Sequence, residues 1–365
     1  VTGATIDLGL GDDTLVFAAA GATVTVSNVE TITGSTAVDV LTLGSQATGF
    51  TVDLGGGADH LTLGNFINTI TVSDVETVSG GASADTVTFG SAVTGAIVDL
   101  AGGADRLIFD GAGATVTVSN VETITGAGGA DAVTLATQAI ATSIDLGGGA
   151  DALTLGAFVN TVTVSNVETI SGGSTNDTVI LAAQATGAVI DLGAGLDRLV
   201  LGAFVNTVTV SNAETITGGS TDDTVILAAQ ATGAVIDLGL GLDTLTLGAF
   251  VNTVTVSNVE TIVGGASDDT VTLAARVTNS VIDLGAGADT LTLGAWVNTV
   301  TVSNVETILG AVSSDTVVLG AAVTGAVVDL GAGNDSLTLS AAGGTVTVSN
   351  VETITGGAAD DVVTY

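Results

Sequence analysis

Carboxylates recur in this chain at fixed intervals, and the spacing limits the chemistry open to them. In VIDLGLGLDTLTL, from Val235 to Leu247, Asp237 and Asp243 flank a glycine-broken turn. Aspartates like the first stand at positions 7, 53, 99, 145, 191, 237, 283 and 329. Those like the second are Asp13, Asp59, Asp105, Asp151, Asp197, Asp243, Asp289 and Asp335. A third column holds Asp39, Asp85, Asp131, Asp177, Asp223, Asp269, Asp315 and Asp361, and a fourth runs from Glu30 to Glu352. Every step is 46 residues, and the eight copies contain no insertion. The four columns hold 32 of the 38 acids, so the charge is an ordered array. Nothing else suggests catalysis: there is one His, no Cys, and no nucleophile that departs from the repeat.

Hard oxygens gathered beside glycine turns suit a cation. Gly239 to Asp243 reads Gly-x-Gly-x-Asp. Glycine tolerates positive φ, which lets carbonyl oxygens turn inward. Calcium takes roughly six to eight oxygens, carboxylate and carbonyl mixed. One turn cannot supply them, but two turns stacked on one edge can. The expected metal ligands are therefore the second and third columns, from Asp13 and Asp39 through Asp335 and Asp361. The competing reading is that these aspartates only cap their own turns through side-chain to backbone bonds.

The elements that would position them are strands. From Val189 one copy reads VIDL, GAGLD, RLVL, GAFVN, TVTVS, NAETI, TGGSTDD, TVIL, AAQATGA. Val, Ile, Leu and Thr runs alternate with polar or glycine breaks, and in Thr207 to Ser211 the valines share one face. No stretch carries a helical period. IDLGAGLDRLVL and ETITGGSTDDTVIL resemble one another, so 46 residues read as two rungs. The expected fold is all-β: one continuous parallel β-solenoid over residues 1–365 with about 16 rungs, a rod roughly 75 Å long. Its thin core would hold Ile190, Leu192, Leu199, Leu201, Val208, Val210, Ile216, Val225 and Leu227. The pattern opens mid-repeat at Val1, as in a segment of a longer chain.

Composition narrows the partners. Three arginines, no lysine and a net charge of −35 oppose nucleic acid and anionic membrane surfaces. The apolar fraction of 46% is too high for a disordered chain. The longest apolar runs fall well short of the roughly 20 residues that cross a bilayer.

The turns carry a family resemblance. GGGADHLTL (Gly55 to Leu63) and GAGADTLTL (Gly285 to Leu293) resemble the RTX, or haemolysin-type, calcium-binding repeat from its second position on. GGSTDDTVI (Gly218 to Ile226) matches its start and its Asp, and VSNVETITGG is similar to stretches of large secreted adhesins of proteobacteria. There are departures: Leu8, Leu54 and their equivalents replace the first Gly, and most second-half turns lack the later one. The resemblance implies bound Ca2+, type I secretion, folding outside the cell, and a structural, non-enzymatic role at the cell surface: adhesin stalk, filament or surface layer. End-to-end or lateral self-association, or packing against neighbouring repeats, is the expected partnership. Because the opposite edge reads GAFVN or AAQATGA, calcium is expected on one edge only.

Other columns give further expectations. The Asp237 and Glu260 types could alternate in one outward ladder if a bulge near Asn258 adjusts the count. Thr-x-Thr pairs such as Thr207 and Thr209 would form a half-filled outward array, an alternative docking face for ice or polysaccharide. Phe66, Phe158, Phe204, Phe250 and Trp296 read as core or corner fillers, or as an exposed edge for lateral association. His60, Arg106 and Arg198 read as solvated surface.

Overall fold

The computed structural model describes residues 1–365 and contains only strands and turns. The chain forms two compact units, Val1–Ala182 and Ala183–Tyr365. Each is a parallel β-solenoid, as the repeat predicts. Successive strands alternate between two sheets, so a strand pairs with those two places before and after it.

In the second unit, one sheet runs through Thr207–Ser211, Thr224–Leu227, Thr244–Thr246 and Thr261–Val263. The facing sheet runs through Thr215–Gly219, Thr232–Gly239, Thr253–Ser257 and Thr270–Leu273. The first unit repeats the plan, with Thr23–Ser27, Val40–Leu43, His60–Thr62 and Thr77–Ser79 in one sheet. All nine core residues named from sequence are buried. Full burial of one such side chain contributes about 1.5–3 kcal/mol.

The coil count is close to the sixteen rungs expected, but the repeat is divided differently. Each 46-residue copy supplies five strands, so it fills two and a half coils. The extra strand follows a corner that carries no glycine. At Asn212 (φ 54°) the chain leaves TVTVS and re-enters a strand at Thr215. Asn28, Asn120, Asn166, Asn258, Asn304 and Asn350 take the same left-handed conformation, and Asp74 takes it in the second copy. Asn and Asp tolerate that region better than other side chains.

An odd number of strands on a two-sheet coil has a geometric consequence. Equivalent segments of successive copies enter opposite sheets: Thr207–Ser211 lies in one, Thr253–Ser257 in the other. Tight stacking at the corners also fixes composition. A Cβ added to Gly219 would collide with the carbonyl oxygen of Gly202 one coil away, which leaves glycine as the residue that fits.

Candidate functional site

The acidic turns stack on one another as the sequence predicts. Gly219 of one turn pairs with Gly239 of the next, Ser35 with Gly55, and Ala311 with Gly331. This stacking places Asp223 directly against Asp243.

Along one edge of the second unit, five successive corners present Ala185, Asn206, Asp223, Asp243 and Glu260. The Ala185 N–H donates to Asn206 Oδ1 at 2.9 Å. The N–H and side-chain amide of Asn206 both donate to Asp223 Oδ1 at 3.0 Å. The Asp223 N–H donates to Asp243 Oδ1 at 2.7 Å, and the Asp243 N–H to Glu260 Oε2 at 2.9 Å. The next copy builds the same relay from Ala231 through Asn252, Asp269 and Asp289 to Glu306. In the first unit it runs from Ala47 through Asn68, Asp85 and Asp105 to Glu122.

Most of the expected ligands fall into such pairs: Asp39 with Asp59, Asp85 with Asp105, Asp131 with Asp151, Asp223 with Asp243, Asp269 with Asp289, and Asp315 with Asp335. All of these are at most 2% exposed. Asp177 accepts from Asn160, and the Asp197 N–H donates to Glu214. Asp13 donates its N–H to Glu30, and Asp361 accepts from its own turn at Gly357. In the pairs, the second member's first carboxylate oxygen therefore caps a backbone N–H of the neighbouring coil rather than only its own turn. Asp39, Asp177 and Asp269 also hold their own turns, accepting the N–H groups of Ser35, Gly173 and Gly265 on Oδ2.

The second oxygen behaves differently. In the pairs Asp85/Asp105, Asp131/Asp151, Asp223/Asp243 and Asp315/Asp335, both Oδ2 atoms are buried with no hydrogen-bond donor. A buried, unsatisfied carboxylate oxygen is costly. Burial, reinforced by the neighbouring carboxylates, pushes Asp105, Asp243 and Asp289 up to about 6. Burial raises Asp59, Asp85, Asp131, Asp151, Asp223, Asp315 and Asp335 as well.

Several expectations are corrected. The acidic turns do not keep to one edge; two and a half coils per copy send successive pairs to opposite edges. The Asp237 and Glu260 types do not share a ladder. Asp237 lies opposite Ser257, and its Oδ1 accepts from Gly239 N–H (3.2 Å) and the Asn258 side chain (2.7 Å). The left-handed Asn258 (φ 53°) then swings Glu260 into the corner beneath Asp243. The threonine array is fuller than half: Thr253, Thr270 and Thr290 align in consecutive strands, as do Thr255, Thr272 and Thr292. The aromatic column, by contrast, sits at corners, as one of its expected readings has it, and is half-exposed, from 38% at Phe66 to 55% at Trp296.

Sequence reasoning missed the buried asparagines Asn68, Asn160, Asn206, Asn252 and Asn298. A signal existed: each follows an aromatic residue by two positions. Copies with Ala20, Ala112 or Ala342 in the aromatic's place have Ala22, Ala114 or Gly344 in the asparagine's. The pairing is physical, because the Asn206 amide also donates to the Phe204 carbonyl (2.7 Å) and so closes the aromatic turn.

No three His, Asp or Glu side chains converge in a metal-binding cluster. No helix is long and apolar enough to cross a membrane. No protein-family model matches the chain, and no curated protein matches it.

Proposed function

We propose that this chain is a non-catalytic structural solenoid of an extracellular bacterial surface protein, an adhesin stalk, filament or surface-layer component. We further propose that Ca2+ between the stacked glycine turns stabilises it. The observation that carries the calcium reading is the set of stacked carboxylate pairs whose Oδ2 atoms are buried without donors. In charge and hardness these oxygens fit calcium. In number they fall short, so the pair would hold the ion together with backbone oxygens and water. Bound there, the cation would neutralise carboxylates that otherwise repel one another across successive coils.

Secretion by a type I route accords with this reading. Calcium near millimolar outside a cell would favour the folded chain by mass action, and its scarcity inside would not. A ligand at about 100 times its dissociation constant adds about 2.7 kcal/mol per site. Thermal melts followed by circular dichroism, with calcium and with chelator, test the point. The expected result is a fall in melting temperature on chelation. Identical melts would remove calcium from the account.

A second reading is favoured by the aligned threonines. Thr253, Thr255, Thr270, Thr272, Thr290 and Thr292 form a regular patch that could dock an ordered hydroxyl-rich surface, polysaccharide or ice. If it does, Thr270→Val with Thr272→Val lowers that binding while the melting temperature stays unchanged. Unaltered binding to both surfaces would leave the structural role alone.

A further inference from the structure

In the first unit a hollow of about 200 Å³ opens between the corner at Asn120 to Glu122 and the corner at Thr137 to Ala139 of the next coil. The Asn120 N–H ties the two corners together by donating to Thr137 Oγ1 at 3.1 Å.

Departures from the repeat gather around this hollow. Ala101 lines it where the other seven copies have glycine, and Ile140 lines it where they have threonine. Ala141, the next residue, stands where the other copies have glycine or asparagine. Ala101 (φ 67°) and Ala141 (φ 57°) are the only alanines of the chain in the left-handed conformation, which alanine disfavours. Thr142, at the floor, replaces the alanine of Ala96, Ala188, Ala234 and Ala326.

Thr142 is 3% exposed and lines the hollow, yet its hydroxyl has no hydrogen-bond partner. Its equivalent Ser280 donates to the Val259 carbonyl at 3.3 Å. A buried hydroxyl left unpaired is costly, and a ligand that pairs it recovers that cost.

The remaining polar groups offer acceptors. Asn120 Nδ2 donates to Asp99 Oδ1 (2.8 Å) and Gln138 Nε2 to the Val159 carbonyl (2.7 Å), both outside the hollow. Their side-chain oxygens are left over. Glu122 Oε2 accepts the Asp105 N–H at 2.8 Å, which leaves Oε1. No Lys, Arg or His lines the space, and the chain as a whole carries −35. An ammonium group matches this set, because it has three donors and no acceptor. Val118, Val121, Leu135 and Ile140 supply apolar wall for a hydrocarbon stem.

We propose that this hollow binds a primary ammonium group carried on an aliphatic stem. Glu122, Thr142 and the amide oxygens accept from the ammonium, and the stem lies against Leu135 and Ile140. A free alkylamine and the lysine side chain of a peptide share this chemistry. The site goes beyond the structural role proposed above and does not depend on calcium. Equivalent positions supply the controls. The hollow at Asp74 to Glu76 measures about 230 Å³, but its floor is Ala96. At Asn212 to Glu214 the space shrinks to about 20 Å³ over Ala234. In the second copy the position of Thr142 is filled by the buried Phe50.

Isothermal titration calorimetry of the 365-residue chain with pentylamine and with Nα-acetyl-lysine amide tests the site. It is run in calcium and in chelator, with circular dichroism confirming the fold of each sample. Salt of about 0.15 M, with a screening length of about 8 Å, suppresses diffuse counterion binding. One site per chain is expected for the amines and none for pentanol. Thr142→Phe plugs the hollow with the residue that the second copy already accommodates, and should abolish the site. Thr142→Ala restores the commoner residue and should weaken binding severalfold. Ala96→Phe should leave it unchanged. Glu122→Gln keeps an acceptor for the Asp105 N–H and should weaken binding by about tenfold or more. Tighter binding of the lysine derivative marks a peptide as the source, and tighter binding of pentylamine marks a free amine; both support the site. Absent binding, binding that pentanol matches, or binding that survives Thr142→Phe or is removed by Ala96→Phe overturns the proposal.

Discussion

Replacing Asp243 by asparagine is expected to raise the melting temperature of the metal-free chain at pH 7, and replacing it by alanine to lower it. The two substitutions separate what the two carboxylate oxygens do. Oδ1 accepts the Asp223 N–H. Asparagine keeps an acceptor there, whereas alanine leaves that N–H buried and unpaired at a cost of about 1–3 kcal/mol. Oδ2 has no donor, and its charge faces those of Asp223 and Glu260. Asparagine removes the charge and turns an amide donor toward those carboxylates. A carboxyl pushed up to about 6 is strained when it is ionised at neutral pH. Relief of part of that strain is the expected gain. Calcium should reverse the order, because Asp243→Asn weakens the proposed ligand pair. If Asp243→Asn lowers the metal-free melt as far as Asp243→Ala does, the Oδ2 charge is not in conflict with its surroundings.

The solenoid itself is legible because its cause is local and repeated. Alternating Val and Thr in TVTVS specify a two-faced strand, and exact 46-residue recurrence places like over like. The division into five strands is not legible in the same way. Its deciding corner, Asn212 to Glu214, contains no glycine, and the turn depends on a left-handed Asn that reads like ordinary strand sequence. That one corner sets the edge on which every later aspartate falls, so a single glycine-free turn governs the placement of the whole acidic array. The aspartate pairing was visible in the two glycine turns of each copy. The role of Oδ1 was not, since its partners come from residues 17 or 20 positions away in another coil. The asparagine that starts each relay hid in a turn read mainly for its aromatic residue.

Acidity gives the other large effect, and its sign separates a bare aspartate ladder from a metal-filled one. In chelator, the melting temperature should rise as pH is lowered from 7 towards 4. Asp105, Asp243 and Asp289 bind protons up to about pH 6 in the folded chain, whereas an unfolded aspartate releases its proton near 3.8. Within that window the folded state holds more protons, so stability falls as pH rises. The contribution is fully present below about pH 3.8 and lost above about 6. The other raised aspartates act in the same direction, so the shift should exceed what any one of them supplies. Calcium demands the deprotonated carboxylates and so competes with protons. In calcium the melt should therefore rise with pH, and the two curves should cross. A metal-free melt that falls on acidification from pH 7 to 4 would mean that the corner carboxylates are stabilised as anions by the backbone N–H groups alone. The orphaned oxygens would then have no part in stability.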